Sequence, residues 1–84
     1  MTRPENVKGA IEWLSKMTAV LNRNAVPRMT WSDSLRRVYG QVPSGWHNEK
    51  KNGERTIMPI VKTAYNKLMK DYEGVDRNNR IMNA

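Results

Sequence analysis

An 84-residue chain without cysteine makes one domain that buries only about 60 to 65% of its unfolded surface, and it excludes disulfides, thiolate metal sites and cysteine nucleophiles together. Its 15 Lys and Arg against 8 Asp and Glu leave a net charge of +7, which favours anionic partners such as nucleic acid or an acidic protein surface. No apolar run approaches the roughly 18 residues needed to cross a bilayer, and residues 1–10 lack the hydrophobic region of a signal peptide, so the expected setting is cytoplasmic, with no membrane partner.

In chain order, Thr2 and Glu5 have the T-x-x-E spacing of a capping box, and Pro4 fits a first turn where its missing donor costs nothing. A first helix is expected over residues 4–22. Val7, Ala10, Ile11, Leu14, Met17, Thr18 and Leu21 form its apolar stripe at steps of three and four, while Lys8, Glu12 and Lys16 alternate in sign along the solvated face. Trp13 lies at the edge of the stripe, where an amphipathic indole covers the rim of a small core. Residues 22–29 have no period, and their Asn residues and Pro27 read as a connection.

Thr30 then caps a second, short helix of about nine residues, with Asp33 in the first turn where a negative charge meets the positive end of the helix dipole. Trp31, Leu35 and Val38 share its inner face, Tyr39 flanks it, and Gly40 suits a left-handed residue after the helix end. Arg36 and Arg37 face outward. Residues 40–55, GQVPSGWHNEKKNGER, break the pattern for longer than structureless connections usually run. Asn52 and Gly53 are the preferred pair for a type I′ hairpin turn, which would pair residues 46–51 with 54–58. Those strands would be nearly devoid of apolar and β-branched side chains, so the expectation is a long basic loop, with Trp46 folding back to plug the core or presented to a partner.

The strongest pattern is the last. Over residues 56–72, Ile57, Ile60, Val61, Ala64, Leu68 and Tyr72 make one continuous stripe, and Lys62, Asn66 and Lys70 stand opposite it. Pro59 is tolerated in the first turn. Gly74 reads as the cap that ends this third helix, leaving residues 74–84 as a flexible tail beyond a single helical domain of residues 1–73. The expected fold class is therefore all-α: three helices, the third packed across the first two, with a long basic loop before it.

Residues 1–23, 24–53 and 54–84 carry +2, +3 and +2, so a positive patch has to be assembled by folding rather than hung on a detachable arm. A zinc site needs three or four closely spaced ligands, which His47 without cysteine does not approach. No phosphate loop, H-E-x-x-H or G-x-S-x-G occurs. Ser44, His47 and Glu49 are near one another only on a flexible segment that lacks the rigid support a catalytic site needs. The expectation is thus a binding protein, not an enzyme, with no cofactor and no metal. A standard helix-turn-helix does not fit connections of about eight and sixteen residues.

Two binding readings remain, beside a third in which Met58 and Met69 line a helix interface between two copies; Met at such positions is more often core filler. In the first, phosphates are held by Arg28, Arg36, Arg37, Lys50, Lys51, Arg55 and the lysine face with Lys62 and Lys70. In the second, a protein-binding adaptor or inhibitor uses Trp13, Trp46, Tyr39, Arg36 and Arg37 as anchors, because Trp, Tyr and Arg dominate interface hot spots. The short length, the absence of cysteine and the Lys, Asn and Met usage look like the small accessory proteins of bacteriophages. That likeness covers no motif and transfers no residue; it implies a phage or bacterial setting and a role as a regulator.

Overall fold

A computed structural model describes residues 2–82. Its elements in order are α1 (Val7–Asn24), α2 (Trp31–Tyr39), a 3-10 turn (Ser44–Trp46), β1 (His47–Glu49), β2 (Arg55–Ile57) and α3 (Pro59–Met82). The three helices pack each against the other two. Strands β1 and β2 form an antiparallel hairpin, so the fold is mostly helical with one hairpin, and the all-α expectation is corrected.

Each helix forms where its apolar spacing places it, but the ends differ from the expected ones. Helix α1 starts three residues later than the capping box suggests. Asn6, in extended backbone, accepts a hydrogen bond from the Gly9 N–H at 2.8 Å and is the N-cap. Both Thr2 and Asn6 can cap; Asn6 is the one directly ahead of the buried stripe of Ala10, Leu14 and Thr18. In α2 the Thr30 hydroxyl accepts from the Asp33 N–H at 3.1 Å, as its position ahead of the apolar face predicts. Gly40 closes the helix in right-handed backbone, φ −69°, not in the left-handed region.

The hairpin takes β1 and its turn from the stretch expected to be a loop, and Thr56 and Ile57 of β2 from the expected start of the third helix, which is corrected to begin at Pro59; its reasons lie at its base. Trp46 is 2% exposed, and its ring meets Trp13 edge-on with centroids 4.8 Å apart. Plugging the core is thus its role. The Trp46 carbonyl accepts from the Met58 N–H at 3.0 Å, closing the ribbon where it joins the core, and Ile57 packs against that core. At the other end Lys50 and Glu54 pair across a three-residue loop, in which the Gly53 N–H reaches the Lys50 carbonyl at 2.9 Å and Gly53 has φ +84°. This is the type I turn followed by a left-handed glycine, not the two-residue type I′ turn. It sets Glu49 opposite Arg55 and His47 opposite Ile57, one residue away from the register that a type I′ turn would impose, and so puts opposite side chains on each face.

Helix α3 begins at Pro59 and runs through Gly74 to Met82. The expected end at Tyr72 with Gly74 as its cap is therefore corrected, residues 74–82 being helical; residues 83–84 of the expected tail lie outside the described residues. The core gathers Ala10 and Leu14 of α1, Leu35 and Val38 of α2, Val42, Trp46, and Val61, Ala64, Leu68 and Met69 of α3. Met69 is core filler rather than surface. No helix among the described residues is long and apolar enough to cross a membrane.

Candidate functional site

The basic surface is built from α3 outward. At about 100° per residue, Lys62, Lys70, Arg77 and Arg80 fall within a sector of about 80°, continuing in register across Gly74 because the helix does not stop there. All four are exposed. Beside this sector lies α2. Its first residue, Trp31, stacks on Tyr72 with centroids 5.5 Å apart, and its last, Tyr39, stacks on Tyr65 at 4.0 Å. The start of α2 thus sits beside the far half of α3, and its end beside the near half.

Asp76 fixes that arrangement. Its carboxylate is buried and accepts from the Trp31 N–H at 2.9 Å, the Ser32 N–H at 3.0 Å and the Ser32 hydroxyl. Two of the donors that a helix start leaves unpaired are satisfied by a side chain 44 and 45 residues away. Burial pushes the Asp76 carboxyl up, but the Ser32 and Trp31 hydrogen bonds outweigh it and, with Arg80 adding to them, hold it below the usual carboxylate range. Thr30 and Asp76 therefore cap the start of α2 from within the chain.

Around this junction three open depressions adjoin. The first, about 550 Å³, is walled by Asp33 and Arg36 of α2 and by Glu73, Arg77 and Arg80 of α3. The second, about 490 Å³, shares Arg80 with the first and adds Arg28, Trp31 and Asn79. The third, about 370 Å³, shares Arg28 and Trp31 with the second and adds Arg23. Their shared residues make them one furrow holding Arg23, Arg28, Arg36, Arg77 and Arg80. Of the acids in it, Asp76 is engaged with α2, Asp33 pairs with Arg36 at 2.8 Å, and Glu73 stands exposed on the wall that carries Arg77 and Arg80, so the furrow sets five arginines against three carboxylates. The half-buried Trp31 indole stands between the second depression and the third.

The candidate residues from the sequence divide among several places. Arg28 and Arg36 line the furrow, and Lys62 and Lys70 extend its basic character along α3. Arg37 is exposed on α2, about 100° round the helix from Arg36, and lines none of the three depressions. Lys50 and Lys51 are exposed at the hairpin turn, where Lys50 lies 3.9 Å from Glu54. Arg55 donates to the Ser44 carbonyl. Trp46 is a core residue, so it is corrected as a partner anchor. Tyr39 is half-buried against Tyr65, and burial, then Tyr65, raises its hydroxyl pKa. Ser44 offers its carbonyl, not its hydroxyl, to the Nδ1 side of His47 at 3.2 Å.

The residues that sequence reasoning missed are Arg23, Arg77, Arg80 and Trp31. Arg23 falls in the stretch expected to be a connection but belongs to the last turn of α1, Arg77 and Arg80 fall in the expected tail but belong to α3, and Trp31 is expected only as an inner-face residue. The available signal was the unbroken spacing of Lys70, Glu73, Arg77 and Arg80 past Gly74. No known protein family, curated protein or solved structure matches this chain.

Proposed function

We propose that this is a small non-enzymatic binding protein of a bacterial or phage-infected cytoplasm, which holds nucleic acid by its phosphates along the arginine furrow. The observation that carries this reading is the gathering of Arg23, Arg28, Arg36, Arg77 and Arg80, drawn from all three helices and the connection between the first two, into one continuous furrow. A guanidinium presents a planar fork of donors that matches phosphate oxygens in pairs. With a chain charge of +7, the long-range field brings the same partner in.

The test is a titration of DNA and RNA oligonucleotides at about 50 and about 200 mM salt. Log K should fall linearly with log salt, and Arg28→Ala with Arg80→Ala should weaken every sequence alike and lower the slope by about one to two units. Absence of binding at about 50 mM, where phosphate contacts are strongest, would remove this reading. One observation then favours the second reading, a protein-binding adaptor or inhibitor: an apolar depression of about 410 Å³ between α1 and α2, lined by Trp13, Met17, Val20, Leu21 and Val38. Val20→Asp would abolish that binding and spare the furrow.

A further inference from the structure

We infer that the furrow takes a single strand of nucleic acid, with bases stacking on the Trp31 indole and phosphates on the arginines either side of it. This rests on the reading of the furrow as a nucleic-acid site and names the form of the ligand. Trp31 is the one aromatic residue lining the furrow, and it borders two depressions, with Arg80 on one side, Arg23 on the other and Arg28 common to both. Cation, aromatic ring, cation is the order in which a strand presents phosphate, base, phosphate, and base-on-ring stacking accepts every base because every base has a π-face.

The indole is also held in place before any ligand arrives. Its backbone N–H is fixed by Asp76 at 2.9 Å, and its ring is stacked on Tyr72 at an interplanar angle of 29°. A platform fixed from below and from one face loses little freedom on binding. Asp76 is in this sense a positioning residue.

A duplex does not meet these features. Its bases cover one another, so an indole gains a stacking partner only by prising a step open, which sacrifices the stacking already made there. Reading a duplex through its major groove requires a helix or two-stranded ribbon that projects, and the furrow is concave. The ribbon this chain does have, β1 and β2, carries Glu49 and Glu54 beside Lys50 and Lys51 at its end, which leaves little net charge there to seat it.

The experiment compares one 12-nucleotide sequence as a single strand, as a duplex and as an abasic strand with the same phosphates, by fluorescence anisotropy at about 50 and about 100 mM salt, in DNA and RNA forms. The single strand should bind at least about tenfold more tightly than the duplex, and the abasic strand should bind roughly 5- to 100-fold more weakly than the strand with bases. Trp31→Leu should bring the single strand down to the abasic level, while Trp31→Tyr keeps most of the affinity. Preference for one sugar identifies the source of the strand and upholds the inference.

Equal affinity for the abasic and base-bearing strands, or duplex binding as tight as single-strand binding, overturns it. If Arg28→Ala still weakens binding in that case, the nucleic-acid reading survives. No binding of any of the three at about 50 mM overturns both. The abasic comparison uses the unaltered protein, so its outcome stands whether or not Trp31→Leu folds.

Discussion

Asp76 is a carboxylate only 7% exposed, surrounded by the donors of a helix that starts 45 residues earlier in the chain. Removing it by Asp76→Ala leaves two backbone N–H groups and the Ser32 hydroxyl without their acceptor. The expected loss is about 2 to 4 kcal/mol, whereas Arg36→Ala, which breaks a well-exposed ion pair, should cost under about 0.5. The pH dependence follows from the direction of the shift. The folded state holds this carboxyl below the usual range, and the unfolded chain titrates near pH 4, so between the two values the unfolded state binds more protons. The stability Asp76 contributes is thus fully present above the unfolded value and is lost as pH falls through the folded one. Urea midpoints for the native chain and Asp76→Asn should converge as pH falls from about 5 towards 2; parallel curves would mean that Asp76 contributes no linked proton.

At the scale of elements, the continuation of α3 through Gly74 can be tested at that residue. A glycine inside a helix costs about 1 kcal/mol relative to alanine. The Gly74 backbone is helical, and an added Cβ would meet nothing within 4 Å. Gly74→Ala should therefore raise stability by about 0.5 to 1 kcal/mol; had Gly74 been a left-handed cap, the same change would lower it. Within the same helix, Leu68→Ala should cost about 2 to 4 kcal/mol and Lys62→Ala under about 0.5, and equal shifts in urea midpoint would contradict the assignment of faces. The spacing of Ala10 and Leu14, of Leu35 and Val38, and of Val61, Ala64 and Leu68 made the three helices legible in the sequence, because a buried stripe is written in every turn. The hairpin was not legible. Each strand is three residues long, too short for an alternating pattern, and what holds the hairpin is Trp46 beneath it with Ile57, the last residue of β2, and Met58 at its base. The far end of α3 was hidden by Gly74, a residue that ordinarily stops a helix: the bonds Asp76 makes to α2 hold the segment beyond it by a tertiary contact, and the local trace was confined to the spacing of Lys70, Glu73, Arg77 and Arg80 across it. Arg28 and Arg36 were legible as basic residues, but their convergence with Arg23, Arg77 and Arg80 depends on that same contact.

For the molecule as a whole, the question is whether its +7 charge acts as a diffuse field or through a located site. Two pairs of substitutions separate these, because each removes two positive charges and changes the net charge equally. Lys50→Ala with Lys51→Ala clears the exposed hairpin turn; Arg28→Ala with Arg80→Ala clears the middle of the furrow. A diffuse field weakens by a similar amount in both cases, and more at low salt, where the screening length exceeds about 10 Å. A furrow that grips phosphates loses its own contacts only in the second pair. The expected result is a change of less than about twofold for the hairpin pair, with stability within about half a kcal/mol of the native chain, against a loss of about tenfold or more for the furrow pair, with the salt slope reduced by about one to two units. Thermal melts of both double variants check that the fold is retained. Equal losses from the two pairs would reduce the furrow to one part of a uniformly basic surface, and a larger loss from the hairpin pair would move the site to the end of the β-ribbon.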